Sequence, residues 1–321
     1  MAGERPLERG LLRLSAWLAP VMPASRLALV RVVVGLYACV WLAMVAPDLM
    51  RRSALGAAKF EPLGIATWSG MVAPGVVMAV IGVTGGLGIA MVLGLGHRGL
   101  RRAVGPAFAV GVLWLASYRN SWGHLSHGEH LMVLQLLVLA VAPTTDAVRV
   151  RWPGGKDVRA GDEQQPRESE RYGWPLRVIM LVTVSTYAIA GLAKLRGAGW
   201  AWISGEAVRL HVGHEALRMT LVGESGWSLG AWLLPHAWVF TAAAVGTVVL
   251  ELGAPIGLRR GWVGIGWIAG LWAMHVGIWV VMGIGFPYPL SGVAFAAWLP
   301  LERVLTPIRR LIGGRSSDAR R

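Results

Sequence analysis

One lysine, Lys194, lies near the end of the apolar run 187–195, where a charged side chain is costly. Its ammonium either extends to the lipid headgroups or is held away from water, which favours the neutral amine. A neutral lysine amine is a base that can take a proton from a substrate. The two interpretations differ in whether the protein is an enzyme, and the residues around Lys194 leave both open.

Two groups of histidines are spaced three residues apart: His124, His127 and His130, then His211 and His214. Side chains three apart on a helix share one face, and imidazole nitrogens bind zinc and similar metals. The spacing is therefore compatible with a metal site. The alternative is that these histidines form hydrogen bonds with headgroups and neighbouring side chains, since no established motif such as His-Glu-x-x-His is present.

Arg31 and Glu251 lie inside apolar segments, each about two helical turns from the same predicted membrane face. Charges inside a membrane are costly and usually paired, so we expect these two residues to form an ion pair. A structural brace is one interpretation of such a pair, and an ion or proton relay is the other. His275 lies in the middle of a later apolar segment and has no obvious partner.

The composition of the chain indicates that these residues are positioned by membrane helices. Hydrophobic residues make up 55% of the chain and charged residues 15%, and the mean hydropathy is +0.54. This balance excludes an ordinary soluble domain. A helix that crosses the bilayer needs about 20 mostly apolar residues. About eight segments are predicted to cross: 25–47, 76–95, 102–117, 129–143, 174–195, 238–258, 263–282 and 287–300.

We therefore expect an all-α fold, a polytopic helix bundle in the cell membrane with both termini in the cytoplasm. Basic residues such as Arg98, Arg101 and Arg102 are concentrated in the segments that lie inside under this orientation, as the positive-inside rule requires. The net charge of +14 then faces anionic lipid, and no motif supports nucleic-acid binding. The one cysteine, Cys39, excludes an intrachain disulfide and a cysteine-cluster metal site.

Three parts are expected along the chain: a cytoplasmic interfacial segment over residues 1–24, a transmembrane domain over 25–300 and a basic cytoplasmic tail over 301–321. Residues 196–236, between the fifth and sixth spans, are too polar to cross the membrane and too apolar to be free in water. Within them, residues 205–222 have the spacing of an amphipathic helix. We predict that they form an extracytoplasmic interfacial helix that covers the bundle.

Several of these residues resemble the HTTM domain, the membrane module shared with vitamin K-dependent gamma-carboxylases. The likeness runs from about residue 23 to residue 300 and is strongest in the series Tyr187, Gly191, Lys194, Trp200 and Gly205. It also includes Arg31, Ser117-Tyr118-Arg119-Asn120, Gly128-Glu129-His130, Glu251, and His275 followed by Gly283-Ile284-Gly285-Phe286.

In the carboxylases, a lysine deprotonates a reduced quinone, whose oxygenation generates a base strong enough to remove a carbon-bound proton from glutamate before carbon dioxide adds. The resemblance implies that Lys194 is the catalytic base, that His130 belongs to the same active site and that a reduced quinone is the cofactor. The predicted topology puts both residues on the outer face. The substrate expected under this hypothesis is lipophilic or a peptide. Animal carboxylases have two consecutive lysines here, whereas this chain has Ala193 before Lys194.

A second hypothesis is a protein without chemistry of its own. Stand-alone HTTM proteins of this length include relatives of the sporulation-delaying protein B family, which helps to mature or export a small secreted peptide toxin in bacteria. The bias of the chain towards Ala, Gly, Val and Arg favours a bacterial source. On this branch the protein is a maturation, export or immunity component. Its partners are then the lipid bilayer and a small secreted peptide or small partner protein.

Overall fold

The computed structural model describes residues 6–95, 98–123, 125–147, 168–223 and 229–303. Within them the chain is helical, apart from a short antiparallel pairing of β1 (Met22–Pro23) with β2 (Glu168–Ser169). The chain forms two compact units. The first unit comprises Met1–Ile179 with Ala296–Arg321, and the second unit comprises Met180–Phe295. The predicted all-helical class is thus confirmed for the described residues.

The helices of the first unit are α1 (Pro6–Leu18), α2 (Ala24–Ser53), α3 (Pro74–Leu93), α4 (Arg98–Asn120) and α5 (His130–Val141). Helix α6 (Glu170–Gly197) begins in the first unit and continues into the second. The second unit contains α7 (Trp200–Ile203), α8 (Glu206–Val222), α9 (Leu229–Leu233), α10 (Ala237–Leu252), α11 (Trp262–Met282) and α12 (Pro287–Leu290). Short 3-10 turns are formed by Ala57–Lys59, Gly64–Trp68, Ala254–Leu258 and Val293–Trp298.

Four described helices, α2, α3, α6 and α11, are long and apolar enough to cross a membrane. Two further predicted spans correspond to the shorter apolar helices α5 and α10. The third predicted span lies within α4, and the eighth covers α12 and the 3-10 turn Val293–Trp298. These elements support a helical membrane protein, and the count of eight crossings stays a prediction.

The core of the first unit is built around α2, which packs against α3, α4 and α5. Leu27, Val30, Val34 and Ala38 are fully buried and recur at helical spacing, so they form one apolar stripe. Helix α3 approaches this stripe closely because it carries Gly88. A Cβ at Gly88 would lie 2.6 Å from the sulfur of Cys39 and 2.7 Å from the ring of Phe108.

Arg177 of α6 holds α1 in place within the first unit. This charge lies inside an apolar segment and was not predicted as a contact. Arg177 is 5% exposed. Its Nε donates to the Trp17 carbonyl at 3.1 Å, and its guanidinium lies 4.9 Å from the Trp17 ring centroid. Leu11 and Leu14 of α1 are exposed. This pattern suits the predicted interfacial segment, whose cytoplasmic position stays a prediction. Of the predicted basic tail, residues 304–321 lie outside the described residues.

In the second unit, α8 packs against both α10 and α11. Helix α8 lies within the segment predicted to form an interfacial helix, with Gly205 (φ +82°) before it and Gly223 (φ +71°) after it. Both glycines have the left-handed backbone conformation that other residues rarely adopt. The extracytoplasmic, interfacial location of α8 stays a prediction.

An ion pair joins the start of α2 to the C-terminal end of the described chain. Arg26 donates Nε and Nη2 to the two carboxylate oxygens of Glu302, at 2.9 Å and 2.5 Å. The hydrogen bonds from Arg26 hold the pKa of Glu302 below its ordinary value, although partial burial opposes this shift. A paired fork of this kind is the favourable geometry for an arginine and a carboxylate.

Because the folded state lowers the pKa of Glu302, the pair stabilises the fold above the ordinary glutamate value of 4.5. This contribution is lost as the pH falls through the lowered pKa. We expect Glu302→Gln to reduce the free energy of unfolding by about 1 kcal/mol near neutral pH and by much less near pH 3. Thermal unfolding in detergent at the two pH values measures this. The exposed Glu206→Gln is the matched control, and equal losses at both pH values would contradict the pair.

Candidate functional site

The ammonium of Lys194 contacts the carboxylate of Glu251 in the second unit. Lys194 lies in the last turn of α6, and Glu251 lies in the last turn of α10. The Lys194 Nζ donates to Oε1 of Glu251 and lies 5.3 Å from the centroid of the Trp202 ring. The side chain of Glu251 is 5% exposed and that of Lys194 is 24% exposed. The lysine is therefore bound to a buried carboxylate and does not extend freely into water.

Two glycines make room for this contact. A Cβ at Gly191, three residues before Lys194, would lie 3.0 Å from the Cβ of Glu251. A Cβ at Gly205 would lie 2.4 Å from the backbone of both Phe240 and Thr241, at the other end of α10. A side chain at either position would therefore push the neighbouring backbone away from α10. Both glycines belong to the series around Lys194 that carries the family resemblance.

These two contacts also set the depth of Lys194 along α10. Gly205 meets α10 at Thr241, whereas Lys194 meets it at Glu251, ten residues or about 15 Å further along the helix axis. Hydropathy predicts that Lys194 lies near the outer end of its span and Glu251 near the inner end of the next. The contact corrects these relative depths. Hydropathy shows where an apolar run ends, but it does not show how far neighbouring helices are shifted along one another.

A second polar pair lies two turns before Lys194 on α6. The hydroxyl of Tyr187 and Nε2 of His275, on α11, are 2.8 Å apart in a buried hydrogen bond whose direction depends on the histidine tautomer. Phe295 stacks on Tyr187 with ring centroids 6.1 Å apart, and Phe286 meets His275 edge to face at 5.4 Å. His275, which had no obvious partner in the sequence, is thus held by Tyr187 among aromatic rings.

The two pairs form one electrostatic cluster, in which Glu251 interacts with Tyr187 and Lys194 interacts with His275. The Oε2 of Glu251 and the Nδ1 of His275 are buried, and neither has a hydrogen-bond partner among the described residues. A buried polar atom without a partner costs about 1–3 kcal/mol. Both atoms therefore favour the binding of a polar group. The cluster combines an amine, a carboxylate, a phenol and an imidazole, which are the usual groups for proton transfer.

Comparison of the chain with models of known protein families, with curated proteins and with solved structures finds no match. The likeness to the HTTM domain thus stays a hypothesis that rests on the residues around Lys194. Function must be inferred from the chemistry of the cluster itself.

His130, the other predicted catalytic residue, belongs to the first unit. It is the first residue of α5 and is exposed, and its ring centroid lies 5.4 Å from that of His127. Because Lys194 belongs to the second unit, a shared active site of Lys194 and His130 stays a prediction.

Glu129, beside His130, is the centre of an ionic network in the first unit. Its Oε1 accepts hydrogen bonds from Arg119 at 2.6 Å and from the Trp41 indole at 3.3 Å. Its Oε2 accepts one from the Ser126 hydroxyl at 2.7 Å. Arg119 also reaches Asp48 at the end of α2, at 3.5 Å. The residues that the family resemblance groups around His130 therefore connect the end of α2, the end of α4 and the start of α5.

The predicted metal site is only partly covered by the structure. His124 lies outside the described residues, and His127 and His130 belong to the first unit, whereas His211 and His214 are exposed on α8 in the second. Across the described ranges, no group of three or more His, Cys, Asp or Glu side chains is placed to hold a metal ion. A site formed by the predicted histidines stays a prediction.

The predicted ion pair of Arg31 with Glu251 would join the two units, and it also stays a prediction. Arg31 is fully buried on α2, and its Nη2 donates to the Val92 carbonyl at 3.3 Å. The partner observed for Glu251 is Lys194, which was not predicted, although the sequence carries a signal for it. Glu251 is the one acidic residue in α10, in α11 and in the part of α6 after residue 179, so it was the acidic partner available to Lys194 on these helices.

Removing one member of the Lys194–Glu251 pair leaves the other charge buried without its partner. We expect Lys194→Gln and Glu251→Gln each to reduce the free energy of unfolding by about 2–4 kcal/mol. The double variant should lose less than the sum, because it leaves no unpaired charge. Unfolding of the four proteins in detergent measures this coupling, with the exposed Arg196→Gln as the matched control. Strictly additive losses would contradict the pair.

Proposed function

We propose that the protein is a multi-pass membrane enzyme of the HTTM kind, in which Lys194 of the second unit is the catalytic base. The observation that carries this proposal is the bond between the Lys194 ammonium and the buried Glu251 carboxylate. A lysine that anchors a helix end to headgroups has no need of a buried carboxylate. The electrostatic coupling of this pair to Tyr187 and His275 adds the groups that a proton-transfer site needs.

Contacts within the first unit support crossings by all of α2 to α5. The strand β1, just before α2, pairs with β2, just before α6, so an even number of crossings between them satisfies this pairing. At the opposite ends, the network of Asp48, Arg119 and Glu129 joins the end of α2 to the end of α4 and the start of α5. Four crossings satisfy both sets of contacts.

The bond between Arg26 and Glu302 supports an even total number of crossings, because it joins the start of α2 to the C-terminal end of the described chain. We propose eight crossings with both termini in the cytoplasm, since the segments richest in arginine then lie inside. Helix α8 in this arrangement covers the second unit on the outer face. The bilayer is the environment of the whole bundle, and no nucleic-acid partner is proposed.

Catalysis by Lys194 requires that its amine first loses a proton. Glu251 is the acceptor already bonded to it, and transfer between them converts an ion pair into a neutral amine and a neutral carboxylic acid. A site with little water favours the neutral forms. The amine can then accept a proton from a weakly acidic group brought to it, and the side chain returns to the ammonium form.

The residues of the cluster fit a reduced quinone. Phe286, Phe295 and Trp202 lie beside the polar pairs and offer faces and edges for an aromatic ring. The Oε2 of Glu251 and the Nδ1 of His275 are available to hydroxyl groups. A bound reduced quinone would supply acidic phenolic hydroxyls and reactivity with oxygen. Under this proposal, the substrate is lipophilic or a peptide.

A second candidate function is the maturation, export or immunity component that binds a small secreted peptide or small partner protein. The Lys194–Glu251 bond also favours this candidate, because an amine bonded to a carboxylate is protonated and a buried pair braces α6 against α10. Under this candidate the cluster holds the fold together and takes no proton from a substrate.

Oxygen uptake by the purified protein in lipid, supplied with candidate reduced quinones, tests the first candidate. We expect uptake by the wild type and by the matched control Arg196→Gln, and a decrease of about 100-fold or more in Lys194→Gln, because general-base catalysis contributes at least that much. An amine label applied near neutral pH should modify Lys194 in the wild type. Uptake that survives in Lys194→Gln contradicts the role of the lysine. No uptake with any quinone, together with an unlabelled lysine, favours the second candidate.

A further inference from the structure

Two buried ring nitrogens in the cluster around Lys194 have no hydrogen-bond partner among the residues that the structure describes. The first is the indole Nε1 of Trp202, whose ring centroid lies 5.3 Å from the Lys194 ammonium. The second is Nδ1 of His275, the nitrogen that is not bonded to Tyr187. An indole N–H can only donate, and a buried donor without an acceptor costs about 1–3 kcal/mol. The proposed function leaves the indole N–H without a role.

The bond between Tyr187 and His275 decides whether Nδ1 of the histidine donates or accepts. The Tyr187 hydroxyl is buried, and its hydrogen-bond partner in the described structure is Nε2 of His275, at 2.8 Å. If Nε2 carried the ring hydrogen, the hydroxyl hydrogen would have no acceptor there. Both groups are satisfied when Tyr187 donates to Nε2, and a neutral imidazole then carries its hydrogen on Nδ1. The hydrogen-bond network thus assigns His275 a free N–H group, as in Trp202.

Proton transfer in the cluster creates an anion that could accept from these donors. The Lys194 ammonium is first paired with the Glu251 carboxylate. In the proposed reaction, Glu251 takes a proton from Lys194, and the neutral amine then takes the proton of a ligand hydroxyl. The O–H bond of the ligand breaks, its electron pair stays on the oxygen, and the net charge of the cluster with its ligand does not change. The ligand oxygen thereby replaces the Glu251 carboxylate as the counter-charge of Lys194.

We infer that the N–H groups of Trp202 and His275 bind this anionic oxygen, so that the site takes a ligand with an acidic hydroxyl group of the phenol class. The inference rests on the proposed function, because Lys194 must first remove the proton. Hydrogen bonds to a charged oxygen are about twice as strong as neutral ones. Donors fixed in a site with little water also need no reorganisation as the charge develops. The side chain of Lys194 is partly exposed, which gives a ligand access to the cluster.

Binding of two probes to the full-length protein in detergent tests this inference. The probes are para-nitrophenol, whose phenolate absorbs visible light, and its methyl ether para-nitroanisole, which cannot ionise. The test variant is Trp202→Phe, which keeps an aromatic ring beside Lys194 and removes the N–H group. The matched control is Trp238→Phe, at an exposed tryptophan of α10 in the same unit. The pH is one at which the free phenol is largely un-ionised.

We expect the wild type and the control to bind para-nitrophenol as its phenolate, and more tightly than para-nitroanisole. In Trp202→Phe, the affinity for para-nitrophenol should fall about tenfold or more, because one hydrogen bond to a charged group is lost. Its affinity for para-nitroanisole should not change. Equal affinity of the test variant and the control for para-nitrophenol would overturn the inference, as would equal affinity of the wild type for the two probes.

Two variants of His275 test the second donor. The amide of glutamine reaches about as far as Nε2 of a histidine, so His275→Gln keeps a partner for Tyr187 and removes the donor at Nδ1. The amide of asparagine reaches about as far as Nδ1, so His275→Asn keeps that donor and loses the bond to Tyr187. We expect His275→Asn to bind more phenolate than His275→Gln. Equal binding, or the reverse order, would overturn the inference, and this comparison also serves where Trp202→Phe does not fold.

These measurements need neither a quinone nor oxygen, so they separate the inference from the proposed function. Oxygen uptake that requires Lys194, together with unchanged phenolate binding in Trp202→Phe, would overturn the inference and leave the proposed function in place. Phenolate binding that requires Trp202, without oxygen uptake with any quinone, would support the inference and remove the quinone from the proposed function.

Discussion

The second unit depends on one constraint, which is that a charge placed between apolar helices must meet its counter-charge there. Lys194 meets Glu251 only because α6 and α10 approach closely, and they approach because Gly191 has no side chain. The backbone of Gly205 contacts α10 in the same way near its start. Helix α10 is thus fixed at both ends by glycines, and the ion pair occupies the depth that these contacts define.

The two candidate functions would give the Lys194–Glu251 pair two roles that oppose each other. As a brace, the pair is strongest with both groups charged, and a charged amine is not a base. As a catalytic pair, it must pass through the neutral state, in which the attraction between the helices is weaker. Tyr187 and His275 bear on this balance because they interact electrostatically with the pair and are themselves hydrogen-bonded.

Much of the fold follows from the sequence, whereas the partners of the site residues do not. Apolar runs predict the helices α2, α3, α6 and α11, and the spacing of residues 205–222 predicts α8, because both signals are local. Lys194 is marked by its apolar surroundings and by the glycine three residues before it. The sequence does not indicate the partner of Lys194, because the register between α6 and α10 depends on contacts between residues far apart in the chain. Arg177 was missed for a related reason, because its partner is a backbone carbonyl of Trp17, which sequence does not distinguish from any other.

Glu129 in the first unit and Glu251 in the second unit differ in how many of their carboxylate oxygens are hydrogen-bonded. Both carboxylate oxygens of Glu129 accept hydrogen bonds, one from Arg119 and Trp41 and the other from Ser126. Glu251 has one oxygen bound to Lys194 and one buried oxygen without a partner among the described residues. A buried carboxylate with both oxygens bonded gains little from a further donor, whereas one with an unbonded oxygen gains by accepting a proton or a donor. The network around Glu129 is therefore the structural one, and the cluster around Glu251 is where we infer that proton transfer takes place.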